Sequence, residues 1–326
     1  MPVNNIEIEY PRVFKGEFRA DFRPGMNLFI GGNATVKTTL LRCLYDLKYE
    51  ILNDEGGCIA QIRDDYYSLL RDGADIPSDL DIELQAEWGS AEITIDMDEE
   101  VDPGLFRSLS FVYIPKKDIL EHARGLLTFI EQKQTGFSRI YKDILIAAMD
   151  VPTNEQSATQ KSIGQKIAAI IGGNIRWDKG EGSFYPLRTD GIRIPFANEA
   201  SGYKKFSLLG LLAASGQLKS GSVLFWDEPE NSLNPELLPV LADILLELSR
   251  NGVQIFIATH SEILASCFAV NRQKGDETSV YSLYRDGEQI KVDRNNRFDF
   301  LKPNNLVTEP VRLYEKQIER GLGSNG

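Results

Sequence analysis

An apolar run, residues 26–30, leads directly into Gly31-Gly32-Asn33-Ala34-Thr35-Val36-Lys37-Thr38, and a segment with leucines at 40, 41, 44 and 47 follows. No other feature constrains the fold as strongly. Strand, glycine-opened loop and helix in immediate succession predict a strand over 26–31 and a helix from about Lys37. The loop comes close to the spacing G-x-x-x-x-G-K-[ST], in which backbone N–H groups and a helix N-terminus solvate phosphate. On that reading Gly31 to Val36 cradle the β-phosphate and Lys37 reaches the β- and γ-oxygens. Thr38 ligates Mg²⁺, and Thr39 lies near the α-phosphate. One position departs from the spacing: Val36 stands where the second glycine belongs. If the backbone there is left-handed, a β-branched side chain costs about 1–2 kcal/mol.

The remaining chain supplies partners for that loop. Short strands are expected around 5–10, 16–22, 109–114, 174–178, 182–187 and 191–196, and helices around 60–71, 117–132, 137–149 and 155–171. From 203 onward the expected order is helix (203–217), strand (222–227), helix (235–249), strand (253–259), helix (262–269) and a β-ribbon (279–293). Such alternation implies a parallel sheet. The strand Val223-Leu-Phe-Trp-Asp227 ends in two carboxylates, Asp227 and Glu228, an arrangement that sets one acid on a Mg²⁺ shell and the next beside an attacking water. Asn234 and Pro235 have the residue types of a helix N-cap and first helical position. The strand ending at Thr259 delivers His260. Ligands of open α/β sheets bind at the carboxyl ends of strands, so Lys37/Thr38, Asp227/Glu228 and His260 are expected to share one crevice. The chain's other histidine, His122, is read as structural.

Charge narrows the partners. Of the net −12, residues 51–110 hold sixteen acids and three bases, so the remainder is close to neutral. Within that stretch, residues 80–98 alternate apolar and acidic on either side of Gly89-Ser90, which predicts a β-hairpin with a solvated acidic face. A basic protein partner is the alternative reading of that face. With 42% hydrophobic and 26% charged residues, a globular domain is expected rather than a disordered or fibrous chain. The three cysteines, Cys43, Cys58 and Cys267, have no metal-ligand spacing and suit a reducing compartment, hence the cytoplasm. No leader-like start and no apolar run near 18 residues is present, so membrane insertion is not expected. The tail after Pro303 reads as mixed, with fraying from Gly321.

Taken together, these segments resemble the ATP-binding-cassette ATPase superfamily, in its soluble branch with the RecF, SMC and overcoming-lysogenisation-defect ATPases. Residues 14–31 are similar to that branch's N-terminal strands, and Asn198-Glu-Ala-Ser201-Gly202-Tyr-Lys-Lys205 resembles its signature motif. The resemblance assigns Asp227 to the Walker B aspartate, Glu228 to the catalytic glutamate, Asn231–Asn234 to the D-loop and His260 to the switch histidine. It also implies that Ser201 and Gly202 act on the γ-phosphate held by a second subunit. Three departures stand out: Val36, Ala200 in place of the usual serine, and the absence of a Q-loop glutamine in Tyr113-Ile-Pro115-Lys116-Lys117-Asp118.

The resemblance implies an α/β P-loop fold of ABC-ATPase type, a mixed sheet with an antiparallel β-subdomain and a helical insert. The expected division is an ATPase core over 1–116 and 191–300, a largely helical lid over 117–190 and a tail over 301–326. The expected function is an ATP- and Mg²⁺-dependent switch that dimerises around two nucleotides, with hydrolysis slowed by Val36. It would control a separately encoded nuclease or toxin in anti-phage defence. Two alternatives remain open at this level: a RecF-like DNA-repair ATPase, and a non-hydrolysing nucleotide-dependent scaffold. The first needs a basic surface, for which Lys116–Lys117 and Lys204–Lys205 are the paired bases.

Overall fold

The structure, a computed structural model, describes residues 3–9, 17–32, 35–52, 83–88, 91–95, 110–123, 125–126, 139–150, 156–178, 180–188, 191 and 196–323. In chain order the strands are β1 (Val3–Glu9), β2 (Glu17–Asp21), β3 (Met26–Gly31), β4 (Glu83–Trp88), β5 (Ala91–Ile95), β6 (Phe111–Ile114), β7 (Gly173–Asp178), β8 (Ser183–Arg188), β9 (Val223–Asp227), β10 (Gln254–Ala258), β11 (Thr278–Asp286) and β12 (Gln289–Asn295). The longer helices are α1 (Lys37–Leu52), α2 (Arg139–Met149), α3 (Ala158–Ile171), α4 (Ser201–Ala214), α5 (Leu238–Arg250), α6 (Glu262–Asn271) and α7 (Asn305–Gly323).

Six strands form the central sheet in the order β12-β11-β3-β10-β9-β6. All of its pairings are parallel except the antiparallel ribbon β11–β12 at one edge. Its inner strands are apolar at consecutive positions because both faces are covered. In β9 the two-residue period sends Leu224 and Trp226 to one side and Val223 and Phe225 to the other, and all four are buried. The first side packs against α2 to α6 through Leu145, Ile167, Leu209, Leu245 and Leu264. On the second, Phe29, Phe111, Phe225 and Phe256 meet Leu40, Leu41 and Leu44 of α1 and Phe18 of β2. Phe225 and Phe256 stack there with centroids 5.1 Å apart.

A second sheet, β2-β1-β4-β5, is antiparallel throughout. Gln254 ties its first strand to the core: its buried side chain accepts from Val3 N at 2.7 Å and donates to Val3 O and Arg23 O at 2.8 Å. Between β6 and β9 lies the insert, with α2, α3 and the antiparallel pair β7–β8. α3 starts at a capping box, Ser157 with Gln160, and ends at left-handed Gly172, φ 72°. Gln160 Nε2 also donates to Ala213 O at 2.9 Å, fixing α3 on α4.

The acidic hairpin is present as β4 and β5, with Trp88 opposite Ala91. Its turn, Gly89-Ser90, lies outside the described residues, as do 80–82, 96–98 and the helix expected over 60–71. Of the strand expected over 191–196, residues 192–195 lie outside them too, and Phe196 opens a 3₁₀ turn. The tail differs from expectation. Rather than mixed structure it forms α7, whose first turn is set by Asn304: its carbonyl accepts from Val307 N and Thr308 N, and its side chain donates to Phe298 O. Pro310 lies inside this helix, which hid it in the sequence. Among the described residues no helix is long and apolar enough to cross a membrane.

Candidate functional site

The loop after β3 begins with a residue that must be glycine. Gly31 has φ 151°, and a Cβ there would lie 2.3 Å from Leu283 O and 2.8 Å from Thr35 Oγ1. Gly32 faces open space instead. Asn33 and Ala34 lie outside the described residues. Thr35 Oγ1 donates to Gly32 O at 2.8 Å and closes the loop. Val36 is left-handed, φ 56°, so the position does demand the conformation that glycine supplies most cheaply. Its carbonyl accepts Leu40 N at 2.8 Å, and its side chain packs against the aromatic side of the core.

Lys37 opens α1 and turns its buried ammonium back over the loop. Nζ donates to Gly31 O and Gly32 O at 2.9 Å and to Thr35 Oγ1 at 3.2 Å. Burial lowers its pKa to about 8, against the opposing pull of Asp227, Glu228 and Glu230. Thr38 Oγ1 donates to both carboxylate oxygens of Asp227, at 3.0 and 3.2 Å. Thr39 is partly buried in the first turn of α1.

Asp227 ends β9, and burial raises its pKa while the Thr38 bond opposes the shift. The chain then bends at Glu228, left-handed at φ 47°, whose N–H donates to Ala258 O at 2.8 Å. Three groups hold this residue. Lys116 Nζ is 2.6 Å from Glu228 Oε2, His260 Nε2 is 3.7 Å from Oε1, and Lys205 Nζ donates to the carbonyls of Glu228 and Pro229 at 3.2 Å. Burial first, and the Lys37 ammonium next, lower the His260 pKa, leaving the imidazole neutral near pH 7. Glu230 fixes the end of β10: its Oε1 accepts from Thr259 Oγ1 at 2.6 Å and from His260 N at 2.9 Å.

Ser232 lies at φ 60°, and Asn234 caps a 3₁₀ turn, Pro235–Leu237, as its residue type predicts; that turn runs into α5. Ser201 and Gly202 stand at the start of α4. Ser201 is exposed and bonds to none of these groups among the described residues, whereas Gly202 is buried, with Leu233 Cδ2 3.0 Å from where its Cβ would be. Lys204 and Lys205 are both buried, Lys204 against Glu121 and Ala197 O. That pair therefore offers no surface charge to a nucleic acid. The side chain of His122 lies outside the described residues.

Lys37, Thr38, Asp227, Glu228 and His260, expected together from the sequence, are brought together by the fold. The sequence does not single out Glu230, Lys116 or Lys205 as members of the cluster. Their signal in the sequence is weak, because Glu230 reads as an ordinary charge beside a motif and Lys116 and Lys205 read as members of paired surface bases. The adjacent hydroxyl and carboxylate of Thr38 and Asp227 are hard oxygen donors suited to Mg²⁺, which takes few protein ligands and keeps the rest for phosphate and water.

Residues 98–266 match the family described as "AAA domain, putative AbiEii toxin, Type IV TA system". This chain belongs to that family. The AAA-domain chain is also 31% identical over 94 residues to the energy-coupling factor transporter ATP-binding protein EcfA of Methanothermobacter thermautotrophicus; the match covers 27% of this chain and 29% of that protein. Among solved structures it resembles the SMC head bound to the C-terminal winged-helix domain of ScpA, with a TM-score of 0.55 at 12% identity, covering 91% of this chain and 98% of that one. An SMC head with an extended coiled coil, bound to the C-terminal domain of ScpA derived from Pyrococcus furiosus, gives 0.53 at 10% identity, covering 97% and 99%. The SMC head domain from Thermotoga maritima gives 0.50 at 13% identity, covering 90% and 99%. The AAA-domain chain thus has the α/β P-loop fold of SMC heads.

Proposed function

We propose that this protein is an ATP-hydrolysing switch whose two copies close around two nucleotides and control a separately encoded effector in anti-phage defence. The observation that carries the reading is convergence: Lys37 and Thr38 after β3, Asp227 and Glu228 at the end of β9 and His260 after β10 lie together. The loop after β3 and the N-terminus of α1 would receive the β-phosphate, with the Lys37 ammonium transferring from loop carbonyls to phosphate oxygens. Thr38 and Asp227 would hold Mg²⁺, which when bound neutralises charge on the β- and γ-oxygens. Glu228 takes the proton from the attacking water, and neutral His260 offers a hydrogen bond on the side facing Glu228. Exposed Ser201 at the head of α4 is available to a second copy, as a site completed in trans requires. The family description names a putative AbiEii toxin and a type IV toxin–antitoxin system, which agrees with a defence context.

Phosphate release and sedimentation, each with and without Mg-ATP, test this reading. Turnover with self-association in ATP is expected. Binding with no phosphate release would leave a nucleotide-dependent scaffold, and no binding would remove the switch altogether.

A further inference from the structure

Lys116 lies where the Q-loop glutamine is missing, and the structure gives it a specific partner. β6 runs parallel to β9 with Ile114 opposite Trp226, so Pro115-Lys116 leaves the sheet level with Asp227-Glu228. From there Lys116 Nζ reaches Glu228 Oε2 at 2.6 Å. The Lys116 side chain is 51% exposed and that of Glu228 19%, so the lysine is a solvated arm resting on a sheltered carboxylate. The bond to Glu228 is also the first cause of a raised Lys116 pKa, with Asp227 and Glu230 pulling the same way. Two other lysines at the crevice are committed elsewhere: Lys37 to the loop after β3, and Lys205, buried, to the carbonyls of Glu228 and Pro229. A γ-phosphate entering here meets three carboxylates, Asp227, Glu228 and Glu230. Of the ammonium groups of Lys37, Lys116 and Lys205, that of Lys116 is on the exposed stem.

We infer that Lys116 is a γ-phosphate-binding residue that guards Glu228: its ammonium pairs with Glu228 and passes to the γ-phosphate when a nucleoside triphosphate binds, releasing the carboxylate toward water. A diphosphate has no group at that position and leaves the pair closed. Lys116 therefore contributes to triphosphate affinity, not to diphosphate affinity, and Glu228 competes for it. This inference rests on the nucleotide site proposed above.

The test is titration of the full chain with Mg²⁺ and either a non-hydrolysable ATP analogue or ADP, for wild type, Lys116→Met, Lys116→Arg, Glu228→Gln and the double variant Lys116→Met/Glu228→Gln. Lys116→Met should weaken the ATP analogue about tenfold, the scale of one charge-assisted hydrogen bond, and leave ADP within about twofold. Lys116→Arg, which keeps the charge, should retain most of the preference. In the Glu228→Gln background the loss caused by Lys116→Met should be larger than in wild type, because the competitor is gone. Melting temperatures should stay level, since Lys116 is half exposed. Equal losses for the ATP analogue and ADP, or no loss for either, would overturn the role given to Lys116 while leaving the nucleotide site standing. A wild type that binds neither nucleotide would overturn both.

Discussion

Two corners of this molecule face the same crevice with the same unusual backbone and are held there by different forces. Val36 follows the first strand of the nucleotide loop at φ 56°, and Glu228 follows β9 at φ 47°; neither is a glycine. Val36 is kept in place by helix initiation and by apolar packing of its side chain. Glu228 is kept by polar contacts: its N–H to Ala258 O, its carbonyl to Lys205, its carboxylate to Lys116 and His260. Strain held by packing is indifferent to what enters the crevice. Strain held by charge responds to any phosphate that competes for the same lysines, and that difference makes the corner after β9 the natural place for a switch.

The largest expected effect on nucleotide binding falls beside Val36. Lys37→Ala should weaken Mg-ATP binding about 100-fold or more in calorimetric titration, because the ammonium is the cation buried in the loop; a loss below tenfold would place the phosphate elsewhere. Glu228→Gln comes next. It should lower phosphate release by about 10²–10⁴-fold with ATP binding intact and leave the ATP-bound dimer accumulating in sedimentation. Unchanged turnover would take the general base away from this corner. Lys205→Met removes the donor to two carbonyls and should cost about 1–3 kcal/mol in denaturant unfolding, with turnover falling more than ATP affinity. Were stability unaffected, the corner after β9 would not be held by its polar contacts. Smallest is Val36→Gly. Relief of about 1–2 kcal/mol of left-handed strain is offset by about 0.5–1 kcal/mol of backbone entropy and by lost packing, so stability should move by under about 1 kcal/mol. Faster turnover in this variant would show that valine slows the enzyme; unchanged turnover would show that the loop has adapted to it.

Much of the site is legible in the amino-acid sequence because its signals are local. The loop between an apolar strand and a leucine-spaced helix, the paired acids ending an apolar strand, and a histidine after another such strand each announce themselves over a few residues. The Lys116 contact is invisible there for the opposite reason: 112 residues of sequence separate it from Glu228, and only the parallel pairing of β6 with β9 closes that gap. Lys204 and Lys205 mislead in the same way. As adjacent bases they suggest surface charge, but the helical turn sends both inward, one to Glu121 and one to the bend after β9. α7 escapes sequence reading because Pro310 and its exposed apolar residues, Val311, Leu313, Tyr314 and Ile318, break the pattern of a helix seated on a core.

What the sequence by itself determined is the succession of buried strands and covering helices, and the type of group each strand delivers at its carboxyl end. Periodicity and strand termini are properties of neighbouring residues, so a few positions suffice to write them. Which strands lie side by side, that Val36 and Glu228 both turn left-handed, and which lysine meets which carboxylate were decided by the tertiary structure. Those outcomes depend on sheet order and on competition among buried charges for a limited set of partners. Neither is encoded in any single segment of the chain.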